Sequence, residues 1–77
     1  MNDARPRKRS LTLSGHRTSV SLEDAFWDAF GRMADDLGVS VNALAARIDV
    51  ERGASAGLAS AIRVAVLRHA ERRAEAD

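Results

Sequence analysis

The chain has 77 residues, with 12 Lys and Arg against 11 Asp and Glu, a net charge of +1 and no cysteine. That length allows one domain with a small core, and the missing cysteines exclude disulfides and thiolate metal sites. Two histidines far apart in sequence do not suggest a structural zinc, no apolar run approaches the roughly 20 residues needed to cross a bilayer, and no apolar stretch follows the basic N-terminus as in a secretory leader.

These exclusions predict a cytoplasmic protein with no cofactor and no membrane attachment. Association of two chains is the staple left to so small a core, so a homodimer is expected. Charge is unevenly spread. Residues 1–20 carry five Lys and Arg against one acid, residues 21–57 carry three against seven, and residues 58–77 carry four against three. A polyanion would therefore be met by one edge of the molecule.

Residues 1–9 are polar, contain Pro6 and carry Arg5, Arg7, Lys8 and Arg9, the pattern of a flexible basic arm. The folded domain is expected over residues 10–73, beginning with strand structure over 10–22. Residues 10–14 alternate with Leu11 and Leu13 on one face, and residues 16–22 alternate with Thr18, Val20 and Leu22 on one face. Apolar positions are odd before Gly15 and even after it. A two-residue turn at Ser14-Gly15 would restore a common apolar face, pairing Leu13 with His16 and Leu11 with Thr18. A bulge at Gly15 in one continuous strand would do the same.

The other face of residues 16–22 carries Arg17, Ser19 and Ser21. A guanidinium and two hydroxyls suit a strand lying in a nucleic-acid groove, since Arg bonds guanine edges and Ser donates or accepts. A surface edge strand facing water is the plainer alternative.

A first helix is predicted over 23–37, with Ser21 and Asp24 resembling a capping box and Phe26, Phe30, Met33, Ala34 and Leu37 as its buried stripe. Gly38 suits the residue after the helix, and Ser40 suits the N-cap of a second helix over 41–49 with Val41, Leu44, Ala45 and Ile48 inward. Residues 49–57 contain two Gly and a Ser and are expected to break the chain direction. A third helix is predicted over 58–73, followed by a frayed tail at 74–77. Leu58, Ile62, Ala65, Val66 and His69 lie on one side of it, with Val64 and Leu67 outside that stripe, which points to a partner chain.

The run Lys8-Arg9-Ser10-Leu11-Thr12-Leu13-Ser14-Gly15-His16-Arg17-Thr18-Ser19-Val20-Ser21-Leu22-Glu23, with Phe26-Trp27 after it, resembles a bacterial subgroup of the ribbon-helix-helix superfamily of Arc/MetJ-type repressors. The resemblance covers about residues 8–70. It implies a mainly α fold with a short N-terminal strand, an intertwined dimer and an intermolecular antiparallel β-ribbon, here with an extra C-terminal helix. It also implies sequence-specific binding of double-stranded DNA by a ribbon in the major groove, in a small transcriptional regulator. Base contacts would fall to Arg17, Ser19 and Ser21. Phosphate contacts would fall to Ser40, Val41 and Asn42 at the start of the second helix, and to Arg7, Lys8 and Arg9.

Two features depart from the pattern: residues 49–57 interrupt the second helix, and the reading face is chemically mild. An alternative within the superfamily is an antitoxin-type interaction module whose C-terminal helix binds a partner protein. No enzyme is expected, because neither His16 nor His69 has a Ser or carboxylate at a catalytic spacing. Phe26, Trp27 and Phe30 fit a core better than a base-stacking platform, which needs aromatics on a strand face.

Overall fold

The computed structural model of the chain describes residues 4–53 and 56–76. The first three residues of the expected arm, positions 54–55 of the expected break and Asp77 of the expected tail lie outside the described residues. The element order is β1 (Pro6–Leu13), β2 (His16–Glu23), α1 (Asp24–Leu37), α2 (Val41–Glu51) and α3 (Leu58–Ala76).

Ser14 and Gly15 have φ of 52° and 87°, the two positive values that a primed two-residue hairpin turn demands. β1 and β2 therefore pair antiparallel within one chain, with Leu13 opposite His16 and Leu11 opposite Thr18. This is the register that the parity change at Gly15 predicts. Leu11, Leu13, Val20 and Leu22 are all buried on the shared apolar face.

The pairing also corrects one expectation. β1 begins at Pro6, so Arg7, Lys8 and Arg9 belong to a strand and not to an arm; the ladder continues to Pro6 opposite Glu23. Within the chain, β2 has β1 along one of its two edges. A two-residue turn closes a local pair at little entropic cost, which is why the hairpin forms in-chain.

β2 runs straight into α1, whose N-cap is Glu23 without a side-chain capping bond. Ser21 remains in the strand, opposite Lys8, so the expected Ser21–Asp24 capping box is not made. The buried side of α1 is Trp27, Phe30, Met33 and Ala34, while Phe26 is half-buried and Leu37 is exposed. The helix is thus rotated toward Trp27, because the first residues of β1 lie against it there.

Gly38 closes α1 with φ of 69°, its N–H donating to the Asp35 carbonyl at 3.1 Å while the Val39 N–H donates to that of Ala34 at 3.0 Å. Two residues later Ser40 caps α2, its Oγ accepting the Ala43 N–H at 3.0 Å. α2 buries Leu44, Ala45 and Ile48 and runs two residues past its expected end.

Arg52 organises the passage from α2 to α3: its guanidinium pairs with Asp49 at 2.7 Å and donates to the carbonyls of Gly53 and Ala56. Those bonds tie the segment that follows α2 back to the end of the helix. α3 then crosses α1 and α2, burying Ile62 and Val66 in the core they share with the hairpin, and it continues to Ala76 through most of the expected frayed tail. Helix and strand ends elsewhere match the sequence expectations within about two residues, the usual uncertainty of such boundaries.

Candidate nucleic-acid interface

Cross-strand partners share a face, so the hairpin register sorts its side chains. One face is apolar and packed on the helices. The other pairs Lys8 with Ser21, Ser10 with Ser19 and Thr12 with Arg17. Five of these six residues are exposed and Ser21 is half-buried. Arg17, Ser19 and Ser21 thus occupy one polar face, as their alternation predicts. Lys8, Ser10 and Thr12 lie beside them on β1, a contribution the sequence reading missed. The signal was present: if Leu11 and Leu13 point inward, even positions of the same strand point outward.

The three expected phosphate contacts of the N-terminal segment are separated. Lys8 is on the polar face, whereas Arg7 and Arg9 are on the opposite one. Arg7 makes a two-pronged pair with Asp24, at 2.8 Å to Oδ1 and 3.1 Å to Oδ2, and its carbonyl accepts the Trp27 indole N–H at 2.9 Å. The Arg9 guanidinium lies 5.0 Å from the Trp27 ring centroid, within cation–π range. These two arginines fasten β1 to α1.

The start of α2 is tied to the same hairpin. Asn42 Oδ1 accepts the Thr12 N–H at 3.2 Å, on the edge of β1 away from β2. Ser40, Val41 and Asn42 are therefore held beside the turn-proximal half of the hairpin. Ser40 uses its side chain as the cap, and the backbone N–H groups of the first turn add a local positive dipole.

At the other end of the hairpin the acid Glu23 is neutralised. Arg63 of α3 reaches it at 2.9–3.0 Å, and Arg63 Nη2 also donates to the Ser21 carbonyl at 3.4 Å. The Glu23 carboxyl is held below its ordinary range by its own backbone N–H first and by Arg63 second. The polar face thus presents Lys8 and Arg17 with its nearest carboxylate already paired.

The two histidines have different surroundings. His16 is exposed beside the turn. His69 Nε2 is 2.9 Å from Asp36 Oδ2, the oxygen that also accepts from Arg73 at 2.9 Å, so this cluster clasps α3 to the end of α1. The His69 bond, followed by Arg73, holds the Asp36 carboxyl below its ordinary range against an opposing desolvation.

No group of three or more potential ligands that could hold a metal ion occurs among the described residues, and no helix among them is long and apolar enough to cross a membrane. A mainly apolar groove lies between α1 and α3, lined by Phe26, Arg63, Val64, Val66, Leu67 and Ala70. Val64 and Leu67 are 49% and 56% exposed beside it, so the apolar excess of α3 faces outward.

A family model described as a ribbon-helix-helix domain matches residues 6–70. A solved structure of an uncharacterized protein from Bordetella pertussis Tohama I is similar, with a TM-score of 0.81 and 35% sequence identity over 97% of this chain. The chain spans 63% of that protein's length. No curated protein matches the sequence.

Proposed function

The chain belongs to the ribbon-helix-helix domain family, and from that premise we propose that it binds double-stranded DNA sequence-specifically as a homodimer, as a small transcriptional regulator. The observation that carries this reading is the hairpin face, a two-stranded ribbon with cations and hydroxyls on one side and the core on the other. The major groove admits a two-stranded ribbon, and the groove edges of the bases offer the donors and acceptors that such side chains bond.

In this reading Arg17, Ser19 and Ser21 meet base edges. Backbone N–H groups of Val41 and Asn42, in the turn capped by Ser40, meet a phosphate. Lys8 meets a phosphate at the rim and contributes to the salt dependence of binding. Arg7 and Arg9 act through the fold, holding β1 in place. A second copy of the chain covers the groove beside Val64 and Leu67, which supplies the additional buried surface a domain of this size needs.

The antitoxin-type alternative draws no support from α3. That helix places Ile62 and Val66 in the core and is clasped through Arg63 and His69, unlike a tail that orders only on a partner.

The test is equilibrium binding of the purified chain to a random-sequence duplex library at low and moderate salt, together with its mass in solution. A dimer that enriches a defined sequence, with affinity falling steeply as salt rises, supports the reading. A monomer, or a protein that enriches no duplex at any salt, overturns it.

A further inference from the structure

Resting on the DNA-binding reading, we propose that β1 is a phosphate-binding strand flanking a central ribbon made by β2 of two chains. Lys8, Ser10 and Thr12 then hold the sugar–phosphate wall on each side of the groove, while β2 meets the bases.

The first support is the state of the two hairpin edges. Thr12 gives its N–H outward, to Asn42 at 3.2 Å, so Thr12 and Arg17 form a pair without ladder bonds between them. By alternation the backbone groups of Arg17, Ser19 and Ser21 also point away from the partner strand. Arg63 takes only the Ser21 carbonyl. The Arg17–Ser19 edge of β2 is thus open to the strand of a second copy, whereas α2 covers the corresponding edge of β1. Joining two chains there puts β2 at the centre and β1 outside.

The second support is width. Two central strands about 4.8 Å apart fit a major groove about 12 Å wide. The two β1 backbones then stand about 14 Å apart, over the walls of the groove and not within it.

The third support is chemistry and order. Lys8, Ser10 and Thr12 are exposed on the same face as Arg17 and Ser19, and an ammonium group and hydroxyls are ligands for phosphate oxygens. The carboxylate on that face, Glu23 opposite Pro6, is paired with Arg63. Asn42 places the first turn of α2 on the side of β1 away from β2. β1 therefore lies between the strand that meets bases and the helix start that meets a phosphate, at the rim of the groove.

Lys8→Gln, Ser10→Ala and Thr12→Val alter exposed side chains and keep the Thr12 N–H on Asn42, and thermal melts matching the wild type check their fold. Each is measured on the selected duplex and on scrambled duplexes across a range of salt, beside the wild type and Arg17→Ala. Each β1 variant is expected to bind all duplexes more weakly by a common factor, roughly three- to tenfold, and to select the wild-type sequence. Lys8→Gln should also lower the log–log salt slope by about 0.9 for each Lys8 lost.

Relaxed preference at a base in Ser10→Ala or Thr12→Val puts β1 inside the groove and overturns the proposal. Unchanged affinity in all three β1 variants, with Arg17→Ala weakened, also overturns it and leaves DNA binding standing. If the wild type selects no duplex, the DNA-binding reading fails first and takes the proposal with it.

Single methylphosphonate replacements in the selected duplex identify the phosphate directly. At one phosphate on each side of the site, Lys8→Gln is expected to cost nothing further. An equal cost at every replaced phosphate overturns the contact. Strand order is read from wild-type chains, half isotope-labelled and half not. Nuclear Overhauser contacts between labelled and unlabelled chains are expected at Arg17 and Ser19; such contacts along β1 in their place overturn the arrangement.

Discussion

Trp27 donates its indole N–H to the carbonyl of Arg7 at 2.9 Å, joining the first turn of α1 to the beginning of β1. The ring is 5% exposed and carries Arg9 above it. Trp27→Phe keeps an aromatic ring but removes the donor and some volume. A loss of about 1–2 kcal/mol is expected, read from urea denaturation followed by circular dichroism. An unchanged midpoint would show that this junction contributes nothing to stability.

The turn at Ser14-Gly15 gives a prediction of opposite sign. Ser14 has φ of 52°, where a residue with a side chain is strained and Asn is tolerated better than Ser. Ser14→Asn should stabilise the chain by about 0.5–1 kcal/mol, or a few degrees in Tm at fixed protein concentration. A lower Tm would contradict the turn geometry.

Arg17→Ala separates reading from mere attraction. If Arg17 makes a two-pronged bond to guanine, its loss costs about 1–3 kcal/mol on the preferred duplex and relaxes preference at that base. Equal weakening on all duplexes would make Arg17 a phosphate ligand. Competition binding against scrambled duplexes distinguishes the two outcomes.

Acid sensitivity follows from Glu23 and Asp36, whose carboxyls are both held below their ordinary range. A carboxyl depressed in the folded state stabilises the fold above its unfolded pKa, and that contribution is lost as the pH falls through the folded value. Stability should therefore decline below roughly pH 4. Asp36→Asn, which removes the acceptor charge facing His69 and Arg73, should flatten this decline in thermal melts taken between neutral and acid pH. A variant with the wild-type slope would show that Asp36 has no part in the acid sensitivity.

Leu67 is exposed on the folded chain, so Leu67→Glu should change the stability of the monomer by less than about 0.5 kcal/mol. At the proposed dimer face it buries a charge without a partner, and sedimentation should show the equilibrium moved to monomer. A dimer of undiminished affinity would locate the contact away from α3.

Local signals in the sequence carried the hairpin and the caps. The parity change across Gly15 called for a turn or a bulge there, of which the structure has the turn that pairs Leu13 with His16, and Gly38 and Ser40 marked the boundary between α1 and α2. The parts that were not legible depend on distant contacts. Trp27 and Phe26 are one position apart on α1, and the choice of inward residue rests on Arg7 and Arg9, which their composition made look like an arm. Arginines at inward strand positions hid the alternation that would have extended β1 to Pro6. The bonds from Arg63 to Glu23 and from His69 to Asp36 join residues 40 and 33 positions apart, and no local pattern encodes them.

The grip of Arg63 on Glu23 and on the Ser21 carbonyl has a consequence for where this domain can be cut. A shortened version stopping after α2 would strip Ile62 and Val66 from the interior, leave the carboxylate at the ribbon's base without its counter-charge and bare the Phe26 ring. Two strands and all three helices therefore form one indivisible unit, and a C-terminal truncation has to place its end beyond α3.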